Sequence, residues 1–407
     1  MRWTPRSTRH GDGHGHDDGS KRCRSPREIR SRRPWVVALF VVLVVASGCG
    51  SSGRARATPA TARSPSLTTA QIERGADHAC IVGTGAAPDV AWSDMSNPII
   101  SYPDAGAKDE AIIWAGGEWH MIFSYMTHDP SDPGGVRWNV ATATSSNMVH
   151  WSAPDPWPAQ TGVVGVASPD IVREPSGLYV VTYQSNAGPT TSTQDKLFYR
   201  TSPDLVHWST PHPLAPNLAP APPDRQIDPA LAFTGHGVVL GFKASVGSST
   251  VQEFELAASY SGSLTGPWVL LGAPDVTVYH NTIENYEFVH AAGHWQLIAT
   301  TNILDQPWIF QLVGNPATPL GWLKWSHGHQ LIVPSQSWNT GQGISSVGFE
   351  QANSAFLCNA RAQDGYYYLL YAGSSELTQF GGWGHAKIGI ARSKDLVHWE
   401  VPPGRSS

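Results

Sequence analysis

A short motif ending in tryptophan recurs along the chain and constrains the fold more than any other feature of the sequence. It reads SSNMVHWS at 145–152, SPDLVHWS at 202–209 and SKDLVHWE at 393–400. Two weaker versions, ASYSGSLTGPW and PLGWLKWS, fill the interval between the second and third copies. The five tryptophans lie 57, 60, 57 and 74 residues apart, at Trp151, Trp208, Trp268, Trp325 and Trp399. Regular spacing of this size predicts radially repeated supersecondary units.

Each unit contains the same series of short apolar segments separated by turn residues. In the first unit, EAIIW (110–114), EWHMIFS (118–124) and WNVATATS (138–145) are typical of three strands, and VHWS begins a fourth. Charged residues make up only 14% of the chain, whereas it has 40 glycines, 32 prolines and 17 tryptophans, which favours short strands joined by tight turns. The sequence therefore predicts an all-β fold, a five-bladed β-propeller with four antiparallel strands per blade.

In such a fold the repeated motif is the turn between the third and fourth strands of a blade. Serine and aspartate favour turns because their side-chain oxygens accept hydrogen bonds from nearby backbone N–H groups. The tryptophan is expected to pack between neighbouring blades. The histidines of the motif, His150, His207 and His398, would lie one per blade at the rim, too far apart to bind one metal ion.

The N-terminal segment is typical of a targeting signal. Basic residues at 21–33 precede WVVALFVVLVVASGC at 35–49, whose apolar run suits a signal peptide better than a membrane span. ASGC at 46–49 resembles a bacterial lipobox, in which Cys49 would carry the lipid; an ordinary cleaved signal or an uncleaved anchor are the alternatives. We therefore expect a signal peptide at 1–49, a disordered linker at 50–72 and the propeller at 73–405. The protein would be extracellular, either secreted or held at the cell surface by its lipid.

Two cysteines remain in the predicted propeller, Cys80 and Cys358. Export permits disulfides, so these cysteines either pair, which would join the start of the domain to its last quarter, or stay as buried thiols. The formal net charge of −5 provides no basic surface for nucleic acid. We expect a monomer whose only contact with a membrane is the N-terminal lipid.

Carboxylates recur where the first strand of a blade begins. In a propeller these strands line the central channel and run in the same direction, so their starts meet at one mouth. Asp109, Asp170, Asp228 and Glu284 stand there in blades one to four, and Asn353 lies near the corresponding start in blade five. Carboxylates that face one another away from water repel, which raises the pKa of at least one of them. Two carboxyl groups in different protonation states are what glycoside hydrolysis requires.

The segments KDEAIIWAGGEWHMIFS, SPDIVREPSGLYVVTY, IDPALAF and IENYEFVHAAGHWQL resemble the blade motifs of glycoside hydrolase family 43 and its relative, family 62. The first of them is particularly similar to the first-blade signature of the family 62 arabinofuranosidases. The resemblance covers roughly 107–400, and the order and spacing of the motifs support it more than any single motif does.

The resemblance implies a role for each carboxylate. Asp109 matches the general base of the family, Glu284 the general acid, and Asp228 the aspartate that raises the pKa of the acid and orients it. Asp170 matches a supporting aspartate. Asp109 would activate a water on one face of the sugar while Glu284 protonates the leaving oxygen, which inverts the configuration and needs about 6.5–9.5 Å between the two carboxyl groups.

Two segments depart from the family pattern. Glu110 follows Asp109 where the family has proline, and Asn285-Tyr286 follows Glu284 where it has glycine-proline. In an alternative register Glu287 is the acid; Glu284 is preferred because it stands nine residues before Gly293, as in the family.

Substrate contacts would come from aromatic side chains near the mouth, which stack on sugar rings. The candidates are Trp114, Trp308 and Trp338, with Asn353 as a polar contact, although core packing is an alternative for each tryptophan. No redox cofactor is needed. Relatives sometimes hold calcium in the channel, but no ligand cluster in the sequence assigns one.

The sequence thus predicts an exported, inverting α-L-arabinofuranosidase that acts on arabinose-containing polysaccharide. The alternatives are a β-xylosidase, an arabinanase or a retaining fructan hydrolase of the same propeller superfamily, and a propeller that binds glycan without turnover.

Overall fold

The computed structural model describes residues 90–131, 135–186, 195–218, 225–245, 253–276, 283–301, 307–339, 346–352, 364–375 and 385–403. Within these ranges the regular structure is β-strand apart from short 3-10 helices at Trp92–Asp94, Pro216–Leu218, Pro319–Leu323 and Ser337–Asn339. None of the helices in this part of the chain is long and apolar enough to cross a membrane. Cys49, Cys80, Cys358 and Asn353 lie outside the described residues, so the predictions for them stay predictions.

The described strands form five blades of four antiparallel strands, as the sequence predicts. Blade 1 contains β1 (Ala105–Ala115), β2 (Glu118–His128), β3 (Val136–Ser145) and β4 (Asp155–Pro156). Blade 2 contains β5 (Gly165–Arg173), β6 (Tyr179–Asn186), β7 (Leu197–Ser202) and β8 (His212–Pro213). Blade 3 contains β9 (Arg225–Thr234), β10 (Gly237–Ser245), β11 (Glu253–Ser259) and β12 (Val269–Gly272). Blade 4 contains β13 (Ile283–Ala291), β14 (His294–Thr301), β15 (Pro307–Gln311) and β16 (His329–Gln330), and blade 5 contains β17 (Ser346–Ala352), β18 (Tyr367–Gly373), β19 (Lys387–Ser393) and β20 (Trp399–Glu400).

Two boundaries differ from the sequence-based expectation. The first strand begins at Ala105 rather than Glu110, so Asp109 lies inside β1 and not in front of it. The fourth strands are two residues long in blades 1 and 2 and begin several residues after the tryptophan of the motif, at Asp155 and His212. Both differences arise because pairing with a neighbouring strand extends or shortens a segment regardless of its own hydrophobic pattern.

The ring closes between blade 5 and blade 1. β1 pairs with β17 in parallel over three residue pairs, which joins the two blades into one eight-stranded sheet. The segment before β1 also reaches blade 5: the side chain of Asn97 bonds the backbone N–H and C=O of Ile390, each at 2.8 Å. Arg392 lies between the rings of Trp92 and Tyr366, 4.3 and 4.1 Å from their centroids. The segment before β1, which contains Trp92 and Asn97, therefore connects the last blade to the first.

The repeated motif is the turn that follows the third strand, as expected. In its second copy Oδ1 of Asp204 accepts hydrogen bonds from the backbone N–H of Val206 and His207, at 3.0 and 2.8 Å. These bonds, with one from the His207 ring to Oδ2, hold the pKa of Asp204 well below its usual range. Leu205, which follows Asp204, is buried and has a φ of +64°, a left-handed conformation that bulky residues rarely adopt. The aspartate thus holds the turn in a strained shape that buries the leucine.

The tryptophans of the motif pack between blades, also as expected. Trp151 contacts the hydrophobic cluster shared by blades 5 and 1, Trp208 the cluster of blades 1 and 2, and Trp399 the cluster of blades 4 and 5. The histidines point outward: the side chains of His207 and His398 are 82% and 85% exposed, and each forms an ion pair with the aspartate of its own turn. The motif is therefore structural.

Blades 3 and 4 approach closely at Gly241 of β10. A Cβ atom added there would lie 2.9 Å from Cζ of Phe288 and 3.0 Å from Cε2 of Phe254. We expect Gly241→Ala to lower the free energy of unfolding by about 1–3 kcal/mol, because the added methyl group overpacks this interface. Denaturant unfolding of Gly241→Ala, Phe288→Leu and the double variant measures it. The double variant should be less destabilised than the sum of the singles, and strict additivity would contradict the proposed contact.

Candidate active site

Four inner strands carry a β-bulge where the sequence places its carboxylates. The register shifts between Lys108 and Ala111 in β1, and between Ala167 and Asp170 in β5. The corresponding shift in β9 lies between Ile227 and Ala230, which flank Asp228 and Pro229. In β13 it lies between Glu284 and Glu287. At each bulge one residue has a φ between +51° and +53°; these residues are Asp109, Ser168, Asp228 and Asn285. Bulges are common beside active sites, where they redirect a side chain.

The bulges define which residues are equivalent, and the expectation that the four acids share one position is wrong in detail. Asp109 and Asp228 occupy the left-handed position of their bulges. Asp170 stands two residues after the left-handed Ser168, and Glu284 stands one residue before the left-handed Asn285. Glu287 takes the place in blade 4 that Asp170 takes in blade 2. The extra residue of a bulge shifts the alternation of faces, which sequence counting alone does not reveal.

One pocket is lined by residues from all four bulges. It contains about 340 Å³ of space free of protein atoms, part of it open solvent. Five of the residues that line it are acidic: Asp109, Glu110, Asp170, Asp228 and Glu287. Glu284 is not among the lining residues, but Asn285 next to it is. The charge of Glu284 nevertheless affects the pocket. After burial, it contributes most to the raised pKa of Asp228.

Asp109 is held through both of its carboxylate oxygens. The hydroxyl of Ser124 on β2 donates to Oδ2 at 2.7 Å, and the same hydroxyl accepts the backbone N–H of Ser168 at 2.8 Å. Nζ of Lys108 lies 3.1 Å from Oδ1, and both side chains of this ion pair are almost fully buried. These contacts connect blades 1 and 2 and orient Asp109 while its charge is compensated.

Asp228 is buried, and its pKa is raised to about 6. Burial is the largest cause; Glu284 and Asp109 raise the pKa further, and Lys243 lowers it. The backbone N–H of Asp228 donates to Oε1 of Gln184 at 2.6 Å, which ties the bulge of blade 3 to blade 2. Asp228 can therefore carry a proton close to neutral pH.

Asp170 is fully buried, and burial raises its pKa to about 7. Its Oδ2 accepts the backbone N–H of Leu231 in blade 3 at 3.1 Å, and hydrogen bonds from backbone N–H groups partly offset the effect of burial. Asp170 therefore joins two neighbouring inner strands at the wall of the pocket.

Glu284 forms an ion pair with a lysine from the neighbouring blade. Nζ of Lys243 on β10 lies 2.7 Å from Oε2 of Glu284, whose side chain is 20% exposed. The backbone of Glu284 is fixed as well, because its carbonyl oxygen accepts the hydroxyl of Thr300 at 3.2 Å. Glu284 is thus more accessible than Glu287, which is 4% exposed.

Glu110 is the residue of this site that the sequence did not single out for a role. It is 3% exposed, and neither carboxyl oxygen has a hydrogen-bond partner of good geometry among the residues that the structure describes. Burial raises the pKa of Glu110 well above its usual range; its own backbone N–H and Lys108 offset part of this, whereas Asp109 and Glu287 add to it. The equivalent positions of blades 2, 3 and 4 hold Pro169, Pro229 and Tyr286. Burial therefore favours the protonated form of Glu110 in the folded protein.

The three candidate tryptophans lie in packed environments. Trp114 lies near the end of β1, whereas Asp109 lies near its middle, and the ring of Trp114 contacts Trp119 with ring centroids 5.0 Å apart. Trp308 is half-buried beside the cluster shared by blades 3 and 4, and Trp338 is buried against Tyr371, with ring centroids 5.6 Å apart. None of the three lines the carboxylate pocket. In the described part of the chain no three histidine, cysteine, aspartate or glutamate side chains form a group that could hold a metal ion, so calcium is not assigned.

Comparisons with known proteins identify the fold. No protein-family model matches the sequence. No curated protein matches it significantly either. Solved structures do match. A family 62 glycoside hydrolase in complex with xylotriose aligns with 12% identity and a TM-score of 0.52, covering 73% of this chain and 95% of that one. The catalytic domain of the Coprinopsis cinerea family 62 α-L-arabinofuranosidase aligns with 14% identity and a TM-score of 0.51, covering 72% and 94%.

A third solved structure broadens the comparison. The sucrose-6-phosphate hydrolase from Lactobacillus gasseri aligns with 14% identity and a TM-score of 0.53, covering 83% of this chain and 67% of that one. The chain therefore has a five-bladed propeller fold shared with glycoside hydrolases, in agreement with the resemblance seen in its blade motifs.

The state of Glu110 can be tested through stability. Below the ordinary glutamate pKa, Glu110 is neutral in both the folded and the unfolded chain. Above it, the unfolded chain ionises while the folded protein keeps its proton, so the wild type loses stability as pH rises, by up to about 1.4 kcal/mol per pH unit. We expect the stability of Glu110→Gln relative to wild type to increase from pH 5 to pH 8 in denaturant unfolding.

The control for this experiment is Glu118→Gln, which removes a glutamate from the exposed start of β2. A difference between Glu110→Gln and wild type that stays constant over this pH range would contradict a protonated Glu110.

Proposed function

We propose that the protein is an exported, inverting glycoside hydrolase that removes α-L-arabinofuranosyl units from arabinose-containing polysaccharide. The observation that carries the proposal is that Asp109 and Asp228 line one pocket and that the charge of Glu284 raises the pKa of Asp228. Structural stability does not require several buried carboxyl groups to gather there, because burying a charge is costly unless it is compensated. Export and lipid attachment at Cys49 belong to this proposal.

Each acid has a chemical role in the proposed reaction. Asp109, oriented by Ser124 and Lys108, accepts a proton from a water molecule that attacks the anomeric carbon. Glu284 donates a proton to the glycosidic oxygen on the other side, so that the bond to the leaving group breaks as the bond to water forms. Asp228, whose pKa is raised to about 6, lies beside Glu284 and influences its protonation. No redox cofactor takes part in this reaction, and its substrate is a neutral poly- or oligosaccharide bound by a monomer.

A second candidate is a propeller that binds glycan without turnover. The observation that favours it is the ion pair between Lys243 and Glu284, because an ion pair of this kind is made by a carboxylate, whereas a general acid must carry a proton. Under this candidate the pocket would bind a sugar but lack an acid to release it.

Assays on arabinan, arabinoxylan, aryl arabinofuranosides, xylosides and fructans test the proposal. We expect release of arabinose by the wild type, and a fall in kcat of about 10²–10⁴-fold in Asp109→Asn and in Glu284→Gln, since each removes a group that transfers a proton. Glu287→Gln is the matched control on the same strand. A large loss in Glu287→Gln with activity kept in Glu284→Gln would instead make Glu287 the acid.

The anomer released first, observed by NMR, separates the mechanisms. Inversion is expected. Retention would indicate the fructan-type alternative, in which the nucleophile lies about 5–5.5 Å from the acid. If the wild type is inert on every substrate and still binds a glycan, the binding candidate replaces the enzyme.

A further inference from the structure

Lys243 is a buried lysine beside the candidate acids. It lies on β10, the second strand of blade 3, and pairs in register with Ile227, the residue before Asp228. Only 5% of its side chain is exposed. Lysines are almost never buried to this extent unless their charge is compensated, because removing an ammonium group from water is costly. The buried ammonium group of Lys243 therefore needs a negatively charged group beside it, and the structure provides one.

The partner comes from the next blade. Nζ of Lys243 lies 2.7 Å from Oε2 of Glu284 on β13, within the range of a charge-assisted hydrogen bond. The contact crosses the interface between blades 3 and 4. It occupies one carboxylate oxygen of Glu284 and so limits the rotation of a side chain that is otherwise partly exposed.

Lys243 also acts on Asp228. The groups that face Asp228 electrostatically are Glu284 on β13, Lys243 on β10, Asp109 on β1 and the hydroxyl of Ser168 on β5. Lys243 and Ser168 lower the pKa of Asp228, whereas the two carboxylates raise it. Asp228 and Glu284 also affect Tyr286 on β13. Burial above all raises the pKa of Tyr286 well beyond its usual range, and the two carboxylates raise it further.

The charges of Asp228, Glu284 and Lys243 balance when the two acids share one proton. Asp228 and Glu284 as carboxylates, with Lys243 as an ammonium, carry a net charge of −1. One proton on the pair of acids makes the group of three neutral, which suits a buried site. The ammonium decides how tightly that proton is held, because a nearby positive charge favours the ionised form of a carboxyl group.

We propose that Lys243 is a positioning residue of this site, whose ammonium fixes the carboxylate of Glu284 and balances the charge of the Asp228–Glu284 pair. This inference rests on the proposed function for its catalytic meaning, but the charge arrangement itself can be tested without a substrate. A merely structural ion pair would hold blades 3 and 4 together without controlling the proton between the two acids.

The direct test is a titration of Asp228 by carbon-13 NMR of its carboxyl group in the full-length protein. Lys243→Met removes the charge and keeps an unbranched side chain of similar length. We expect the midpoint of Asp228 to rise by about one pH unit or more, and Lys243→Arg to restore a midpoint close to that of the wild type. Lys394→Met, at an exposed turn of blade 5, is the matched control and should leave Asp228 unchanged.

Two further variants keep the test decisive if Lys243→Met does not fold. Lys243→Gln removes the charge and keeps a hydrogen-bond donor, so it should raise the midpoint in the same direction. Glu284→Gln removes the second negative charge and should lower the midpoint of Asp228, because Glu284 raises it in the wild type. An unchanged midpoint in the folded, uncharged Lys243 variants overturns the proposal.

Activity provides a separate readout. If Glu284 donates the proton, loss of the ammonium should move the alkaline limb of the kcat/KM profile to higher pH, because the proton is held more tightly. It should also lower kcat more than it changes KM, with recovery in Lys243→Arg. Inactivity of every form together with a shifted Asp228 midpoint would refute the proposed function and leave the role of Lys243 intact. Activity of the wild type together with an unshifted Asp228 midpoint in the Lys243 variants would support the proposed function and overturn the role of Lys243.

Discussion

Burying several carboxyl groups in one pocket is unfavourable unless cations or protons neutralise part of their charge, and the site is built around this constraint. Two lysines supply cations: Lys108 pairs with Asp109, and Lys243 pairs with Glu284. Protons supply the rest, since burial raises the pKa of Asp170 to about 7 and of Asp228 to about 6. Asp109 and Glu284 are thus paired with lysines, whereas Asp170 and Asp228 have raised pKa values that let them keep a proton closer to neutral pH.

The scaffold creates the pocket through a feature repeated in four blades. Each β-bulge places one residue in the left-handed region and breaks the alternation of the inner strand, so side chains of neighbouring positions can meet near the axis. Hydrogen bonds between blades then fix the bulges: Ser124 accepts a hydrogen bond from the backbone N–H of Ser168, and Gln184 accepts one from the backbone N–H of Asp228. The turns of the repeated motif follow the third strands of blades 1, 2 and 5, away from the inner strands that carry the bulges.

The sequence predicted the architecture well because the architecture is periodic. Trp151, Trp208 and Trp399 mark turns that recur once per blade, and tryptophans at that position pack in the same way each time. The inner strands followed from the same counting, and so did the nearness of Asp109 and Asp228 to one another. Local patterns repeated at fixed spacing are what a sequence shows most directly.

The rest of the site depends on tertiary contacts that have no local signal. A bulge adds one residue to a strand without a distinctive sequence, so the different positions of Asp170 and Glu284 relative to Asp228 could not be counted in advance. Lys243 belongs to a second strand and reaches Glu284 only because two blades pack side by side. The sequence showed Glu110 as a departure from the motif that it resembles, but only the fold shows that this side chain is buried. The ring of Trp114, a candidate for stacking on a sugar, contacts Trp119, which is the packing alternative that the sequence left open.

The central claim is that the carboxylates around the propeller axis form a sugar-binding active site. A crystal structure of Glu284→Gln soaked with an arabinofuranosylated xylo-oligosaccharide tests it most directly. The account predicts electron density for a furanose ring in the pocket, with its anomeric carbon between Asp109 and residue 284 and a water molecule hydrogen-bonded to Asp109. Sugar bound only at the outer rim, or an empty pocket at saturating oligosaccharide, would contradict the account.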